Sequence, residues 1–443
     1  MSVVSSLSRR EPLVDSRPAA TELPLPLWEI WLACAALFLA TDALMPVLFG
    51  GGEAPTPSVA SDPVTRPAWM LVVALMLLAL VRSGGDVLAA AAANPGVVAL
   101  CYLALGSTVW SVAPGVTLSD AVEFSLSTLL GLYIGTRFGV RRLVAILSWT
   151  TLAILALSVL FAGALPRYGL DHTRGDAWRG VFVTKNGLGR MMVVGFVVWG
   201  VRTCTGEAHR PRNWAILLAF VATALKSDSR TALGVGSLML GAFVLARMLS
   251  RTGRQLVPAK GAIVSALALV AALCVLNLKV LLAVVGSDYS LTGRSGIWRA
   301  VWNAIDVRPW LGYGFDAFWR SGGLTFEVWR AAGTQTPHAH NGFLDLLLGL
   351  GLAGLACFAV AFAVVWRRAL LALREQPGQG GLFPFVYLSL LLLYNLTESS
   401  LVGARAFEWV VFAAVAAATA PATSRRGAVS ASRTGQAAGR TEL

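Results

Sequence analysis

The chain has 443 residues, 56% of them hydrophobic and 13% charged, with a mean hydropathy of +0.68. Soluble domains carry about a quarter charged residues, so a water-soluble globular fold is excluded and a polytopic membrane protein is expected. The net charge of +13 does not point to nucleic acid, because the basic residues fall in short segments between apolar runs, as they do when they set membrane orientation.

Lipid cannot satisfy an open sheet edge, and the runs show no ten-residue strand alternation, so every span should be a helix. The N-terminal segment 1–26 holds Arg9, Arg10 and Arg17 and precedes an apolar run that no convincing cleavage site ends, so a retained first span is expected. Taken in order, the runs predict spans at 27–49, 68–82, 95–112, 118–136, 142–163, 186–202, 213–227, 231–249, 262–286, 342–366, 382–397 and 404–421. The five cysteines (Cys34, Cys101, Cys204, Cys274, Cys357) are scattered, with no metal-site or disulfide spacing.

Arginine placement orients the array. Alternate segments hold Arg82, then Arg137, Arg141 and Arg142, then Arg202, Arg210 and Arg212, then Arg247, Arg251, Arg254 and Lys260, then Arg367, Arg368 and Arg374. The intervening short segments hold almost none, which places both termini in the cytoplasm and the sparse segments outside. The resulting division is 1–26 cytoplasmic, 27–286 as spans one to nine with an outside loop near 164–185, 287–341 as a large outside loop, 342–421 as spans ten to twelve, and 422–443 as a disordered cytoplasmic tail.

Within the large loop, Ile297, Trp298, Val301, Trp302 and Ile305 follow helical spacing and predict a helix with an aromatic face lying on the membrane or on the bundle. Pro309, Gly312 and Gly314 then break it. Three cationic or titratable groups fall on the outside: Arg230 at the start of span eight, Arg294 just after span nine, and His340 just before span ten. Interfacial arginines usually snorkel, yet short outside loops disfavour them. A lipid-linked phosphate or pyrophosphate gives them a purpose, because guanidinium binds phosphoryl oxygens in a bidentate, charge-assisted way.

The motif His340-Asn341, nine residues, then Gly351-Leu352-Ala353-Gly354 resembles the signature of the O-antigen ligase and polysaccharide polymerase superfamily. Gly293-Arg294 with Trp298, and Ser229-Arg230-Thr231, resemble two further motifs of that family. The resemblance implies an all-α integral membrane protein of about twelve helices in the bacterial inner membrane, with a large, partly helical periplasmic loop between spans nine and ten. It also implies inverting glycosyl transfer from an undecaprenyl-pyrophosphate-linked oligosaccharide to a glycan or lipid acceptor hydroxyl at the periplasmic face. His340 would be the general base, and Arg230 and Arg294 would hold the pyrophosphate. No metal or cofactor is called for. Membrane lipids surround the chain, and chain-length or export proteins are further partners.

Trp178-Arg179-Gly180-Val181-Phe182 and Lys185-Asn186 resemble a segment frequent in exopolysaccharide polymerases, with Thr184 where those often have His. Polymerisation of repeat units is therefore preferred. Ligation to lipid A core or protein O-oligosaccharide transfer is the alternative, and a transporter or flippase is a remote one. Substrate contacts are expected from Arg179, Lys185, Asn186, His338, Asn341 and Trp298. Asn341 either orients His340 or caps span ten. Asp345 either polarises the site or pairs with an arginine. Gly351 lies about 16 Å along an ideal helix from His340, so with Gly349, Ala353 and Gly354 it is expected to admit a neighbouring helix.

Overall fold

The structure, a computed structural model, describes residues 26–48, 65–172, 175–205, 211–250, 294–333, 335–376 and 378–421. The expected ninth span at 262–286, both chain ends and the first part of the large loop lie outside the described residues. The chain described is a helical array: α1 (Leu27–Leu39), α2 (Met45–Leu48), α3 (Thr65–Ala92), α4 (Pro95–Gly106), α5 (Pro114–Ala164), α6 (Pro166–Gly169), α7 (Lys185–Cys204), α8 (Pro211–Lys226), α9 (Arg230–Ser250), α10 (Arg294–Val307), α11 (Gly323–Ala332), α12 (Gly342–Glu375), α13 (Gln379–Asn395) and α14 (Phe407–Ala418). Two-residue strands β1 (Leu170–Asp171) and β2 (Ala177–Trp178) pair antiparallel, Leu170 opposite Trp178.

Among the described residues, three helices are long and apolar enough to cross a membrane: α5, α7 and α12. The two arms of α3, Arg66–Val81 and Ser83–Ala92, make a fourth if counted as one span, although they meet at 101°. The expectation of one helix per apolar run is corrected at two places. The run 27–49 is not one helix: α1 stops at Leu39, and turns carry Asp42 and Leu44 into positive φ. The Leu44 N–H then donates to the Val181 carbonyl, 2.8 Å away, tying this corner to the loop before α7. The run 68–82 matches the first arm of α3, and the 101° bend lies at its end, between Val81 and Ser83. Span ten breaks at Gly351, with φ 62° and ψ −162°.

That break is built with care for its backbone. It frees carbonyls on one side and N–H groups on the other, and these cannot stay unpaired away from water. The turn after α10 satisfies them. The N–H groups of Tyr313 and Gly314 donate to the carbonyls of Leu348 and Gly349 at 2.8 and 3.0 Å. The N–H groups of Leu352 and Ala353 donate to the carbonyls of Pro309 and Trp310 at 2.8 and 3.1 Å. A Cβ on Gly351 would collide with the Trp310 backbone. What the glycine admits is therefore this turn, and the expectation of a neighbouring helix is corrected. Gly312 and Gly314 hold positive φ so that the turn can seat there.

Small residues set the packing elsewhere. Gly131 and Gly135 of α5, four apart, face Val410, Ala413, Ala414 and Ala417 of α14, and a Cβ at either glycine would meet α14 backbone. α14, buried from Phe407 to Ala417, is thereby packed directly against α5. Outside it, Ile297, Val301 and Ile305 of α10 are buried against Tyr313, Phe318, Leu344, Leu347 and Leu348, so the aromatic-faced helix lies on the protein. Trp302 remains 49% exposed on its other side.

Candidate active site

The segment 336–341 is held at every step. The Thr336 hydroxyl donates to the His338 carbonyl at 2.7 Å, and the Trp298 indole N–H donates to the Ala339 carbonyl at 2.9 Å. The Ala339 N–H donates to both Asp345 carboxylate oxygens at 3.1 and 3.2 Å, and the Trp319 indole donates to the same group at 2.7 Å. Asp345 is thus a brace for the loop and has no arginine partner among these bonds. The Asn341 side chain accepts from the N–H groups of Phe343 and Leu344 at 3.0 and 3.2 Å, which makes it the N-cap of α12. Its own N–H donates to Ser399 Oγ at 3.0 Å.

Between these anchors, His340 adopts φ 51°. A left-handed non-glycine residue costs on the order of 1 kcal/mol and persists only where its surroundings enforce it. Here the enforced conformation turns the imidazole towards Glu398. Nδ1 of His340 lies 3.6 Å from Glu398 Oε2, an ion-pair separation too long for a hydrogen bond. That nitrogen is buried and has no hydrogen-bond partner among the described residues.

Glu398 gathers the other groups. Arg294 Nη2 donates to Oε1 at 3.1 Å, with side-chain exposures of only 13% and 12%. Asn186 Nδ2 donates to the same oxygen at 3.1 Å, and its Oδ1 accepts from Ser229 Oγ at 3.0 Å. Burial raises the Glu398 carboxyl, but the facing His340 and Arg294 outweigh it and hold the group below the usual glutamate range. The carboxylate is ionised. Its backbone is pinned as well, with the N–H donating to the Tyr394 carbonyl and the carbonyl accepting from the Gly342 N–H, each at 3.0 Å. Gly342 is needed there, since a Cβ would strike Asn395 and Leu401.

Five separated stretches therefore converge: the start of α7, the turn before α9, the start of α10, the 338–341 loop and the turn after α13. Close approach of α7 to α9 is possible because Gly189 has no side chain to strike Ser229 and Ala232.

The other expected contacts resolve individually. The His338 ring packs edge-on to His340, with centroids 4.2 Å apart, and its Nδ1 accepts from the His340 N–H at 3.2 Å. Burial and the neighbouring His340 push its pKa down to about 3, so the ring is neutral with its proton on Nε2. Lys185 pairs with Asp228 at 2.8 Å. Arg179 donates from Nε and Nη2 to the backbone carbonyls of Tyr168 and Arg167 at 3.0 and 3.2 Å, which clasps the β1–β2 hairpin. Trp298 likewise holds the histidine loop through its indole. Thr184 accepts from the Gly187 N–H and caps α7. Arg230 is exposed as the first residue of α9, next to the Ser229 that binds Asn186.

Sequence reasoning missed Glu398. The available signal was a lone acid in Thr397-Glu398-Ser399-Ser400, at the outer end of an otherwise apolar run and on the side assigned to Arg294 and His340. It also missed the ion pair between Arg190 and Glu408, 3.2 Å apart, one helical turn along α7 from Asn186.

Residues 214–359 match the family model described as O-antigen ligase, a stretch that contains Arg230, Arg294, His340 and Gly351. The exopolysaccharide production protein ExoQ of Rhizobium meliloti (strain 1021) is 26% identical over 258 residues, which is 56% of this chain and 58% of ExoQ. The chain thus spans little more than half the length of that relative. The resemblance drawn from the histidine and arginine motifs is the one these matches return.

Proposed function

We propose that this chain is a membrane glycosyltransferase of polysaccharide synthesis, moving a glycan from a prenyl-pyrophosphate carrier to an acceptor hydroxyl. The observation that carries the reading is the meeting of His340 and Arg294 at one ionised carboxylate, Glu398, which follows them by 58 and 104 residues in the chain. A base and a phosphate-binding cation within one small cluster suit a single reaction. His340 takes the acceptor O–H proton through Nε2 as the new bond to the anomeric carbon forms. The old anomeric C–O bond breaks, and the pyrophosphate leaves with the electron pair, its charge met by Arg294 and Arg230. Attack opposite the leaving group inverts the configuration. The carrier is undecaprenyl pyrophosphate, and the site works on the periplasmic face of the inner membrane.

Polymerisation of repeat units is the preferred outcome, supported by the relative named for exopolysaccharide production. Ligation of a finished glycan is the second reading, supported by the matching family model. Glycans from a deletion strain separate them: single repeats without long chains mean a polymerase, and unattached lipid-linked polymer means a ligase. In purified protein, His340→Ala and Arg294→Ala are expected to lower transfer by roughly 10²-fold or more without loss of insertion. Full activity in His340→Ala would remove the base assignment.

A further inference from the structure

Glu398 sits where a substrate phosphate is wanted. It holds Arg294 by Oε1 at 3.1 Å, while its other oxygen stops 3.6 Å short of His340. The geometry points to Glu398 as an internal stand-in for the donor's pyrophosphate: donor binding takes Arg294 from it, and the released carboxylate closes on His340 Nδ1 and fixes the imidazole as the base. The inference rests on the glycosyl-transfer reading of the site and adds to it a positioning residue and an order of events.

Three features support the exchange. Glu398 is an ionised carboxylate, so it competes for guanidinium by the same charge-assisted hydrogen bonding that phosphoryl oxygens use. Its backbone is tied to Tyr394 and Gly342, so the side chain can swing without moving the turn. His340 Nδ1 is buried and waiting: among the described residues nothing else hydrogen-bonds to it. A pyrophosphate carries more charge than the carboxylate and can grip the guanidinium bidentately, so it displaces Glu398 from Arg294. The same charge then repels Glu398 towards the imidazole. Closing the gap from 3.6 Å to about 2.8 Å places an N–H on Nδ1, leaves Nε2 as the lone-pair nitrogen, and stabilises the imidazolium formed when the acceptor proton arrives. Proton and electron pair follow the path already given. The exchange itself makes and breaks only hydrogen bonds and ion pairs. It gives the enzyme a reason not to deprotonate acceptors when no donor is bound.

The test separates binding from turnover in full-length protein reconstituted in lipid nanodiscs. Glu398→Gln removes the competing charge, so undecaprenyl pyrophosphate is expected to bind about tenfold tighter than to wild type, while transfer falls by roughly 10²- to 10⁴-fold. A merely structural glutamate would weaken both together. In an Arg294→Gln background the tightening is expected to vanish, because there is no guanidinium left to release. Unchanged or weaker probe binding in Glu398→Gln overturns the proposal, as does unimpaired transfer or tightening that survives loss of Arg294. Should Glu398→Gln fail to fold, Glu398→Asp replaces it: a carboxylate retracted by one methylene holds Arg294 less, so tighter probe binding with slower transfer is expected, and wild-type affinity overturns the proposal. Wild-type protein that binds the probe but transfers no glycan instead defeats the glycosyl-transfer reading, whatever Glu398 does, while full transfer in His340→Ala removes only the base assignment.

Discussion

The three histidine-loop residues His338, His340 and Asn341 differ in what they touch, and each therefore has its own measurable consequence. Asn341 satisfies two N–H groups at the start of α12, so Asn341→Ala is expected to cost about 1 kcal/mol in thermal unfolding, with Asn341→Asp or Asn341→Ser restoring most of it. His338 is neutral in the fold with a pKa lowered from 6.5 to about 3, whereas the unfolded chain protonates it near 6.5. Between those values the unfolded state binds the extra proton, so stability is full above pH 6.5 and declines as pH falls towards 3. Glu398, whose folded pKa is depressed, adds a loss of the same sign at the acid end, below the usual glutamate range. His338→Asn keeps an acceptor for the His340 N–H without a titrating ring. Melting temperature against pH is expected to be flatter for this variant than for wild type between pH 6.5 and 4. An equally steep decline would remove His338 as the group responsible.

At the scale of elements, the glycine at the α12 break carries more than its size suggests. Gly351→Ala adds a Cβ at φ 62° against the Trp310 backbone, where neither side can yield as a flexible side chain would. Loss of roughly 2 kcal/mol or more in stability is expected, along with faster protease cleavage in 309–314 as the turn unseats. The same element shows what was readable beforehand. The helices expected at 186–202, 213–227 and 231–249 are found at Lys185–Cys204, Pro211–Lys226 and Arg230–Ser250, because apolar runs bounded by charged or turn residues declare their ends. The break at Gly351 lies inside an unbroken apolar run, where hydrophobicity has no contrast to report. The stop at Leu39 is hidden for the same reason, since Met45–Leu48 continues the apolar character after the turns. Glu398 escaped because nothing local marks it: its meaning comes from Arg294 and Asn186, 104 and 212 residues away.

Across the whole molecule, two groups of polar contacts tie segments far apart in the chain. In one, Arg137 binds Glu29 through Nε at 2.6 Å, and Arg368 binds Asn94 Oδ1 at 2.9 Å and the Ala93 carbonyl at 2.6 Å. In the other lie Asn186, Ser229, Arg294, His340 and Glu398. The arginine count expects the first group inside and the second outside, and cysteine labelling applied from one face of the membrane tests that assignment. α14 packs backbone-close on Gly131 and Gly135 of α5, so a larger residue at either glycine would push the two helices apart.

The α12 break has one more consequence, which concerns synthesis. A helix opened at Gly351 leaves two carbonyls and two N–H groups that hydrocarbon cannot solvate, and their partners come from 309–314. Those partners precede Gly351 in the chain, so a ribosome delivers the seat before the segment that needs it. In vectorial insertion from the N-terminus the seat is thus made before the break that docks on it. The histidine loop lies in the chain between seat and break, so the docking that joins them closes the stretch that carries it.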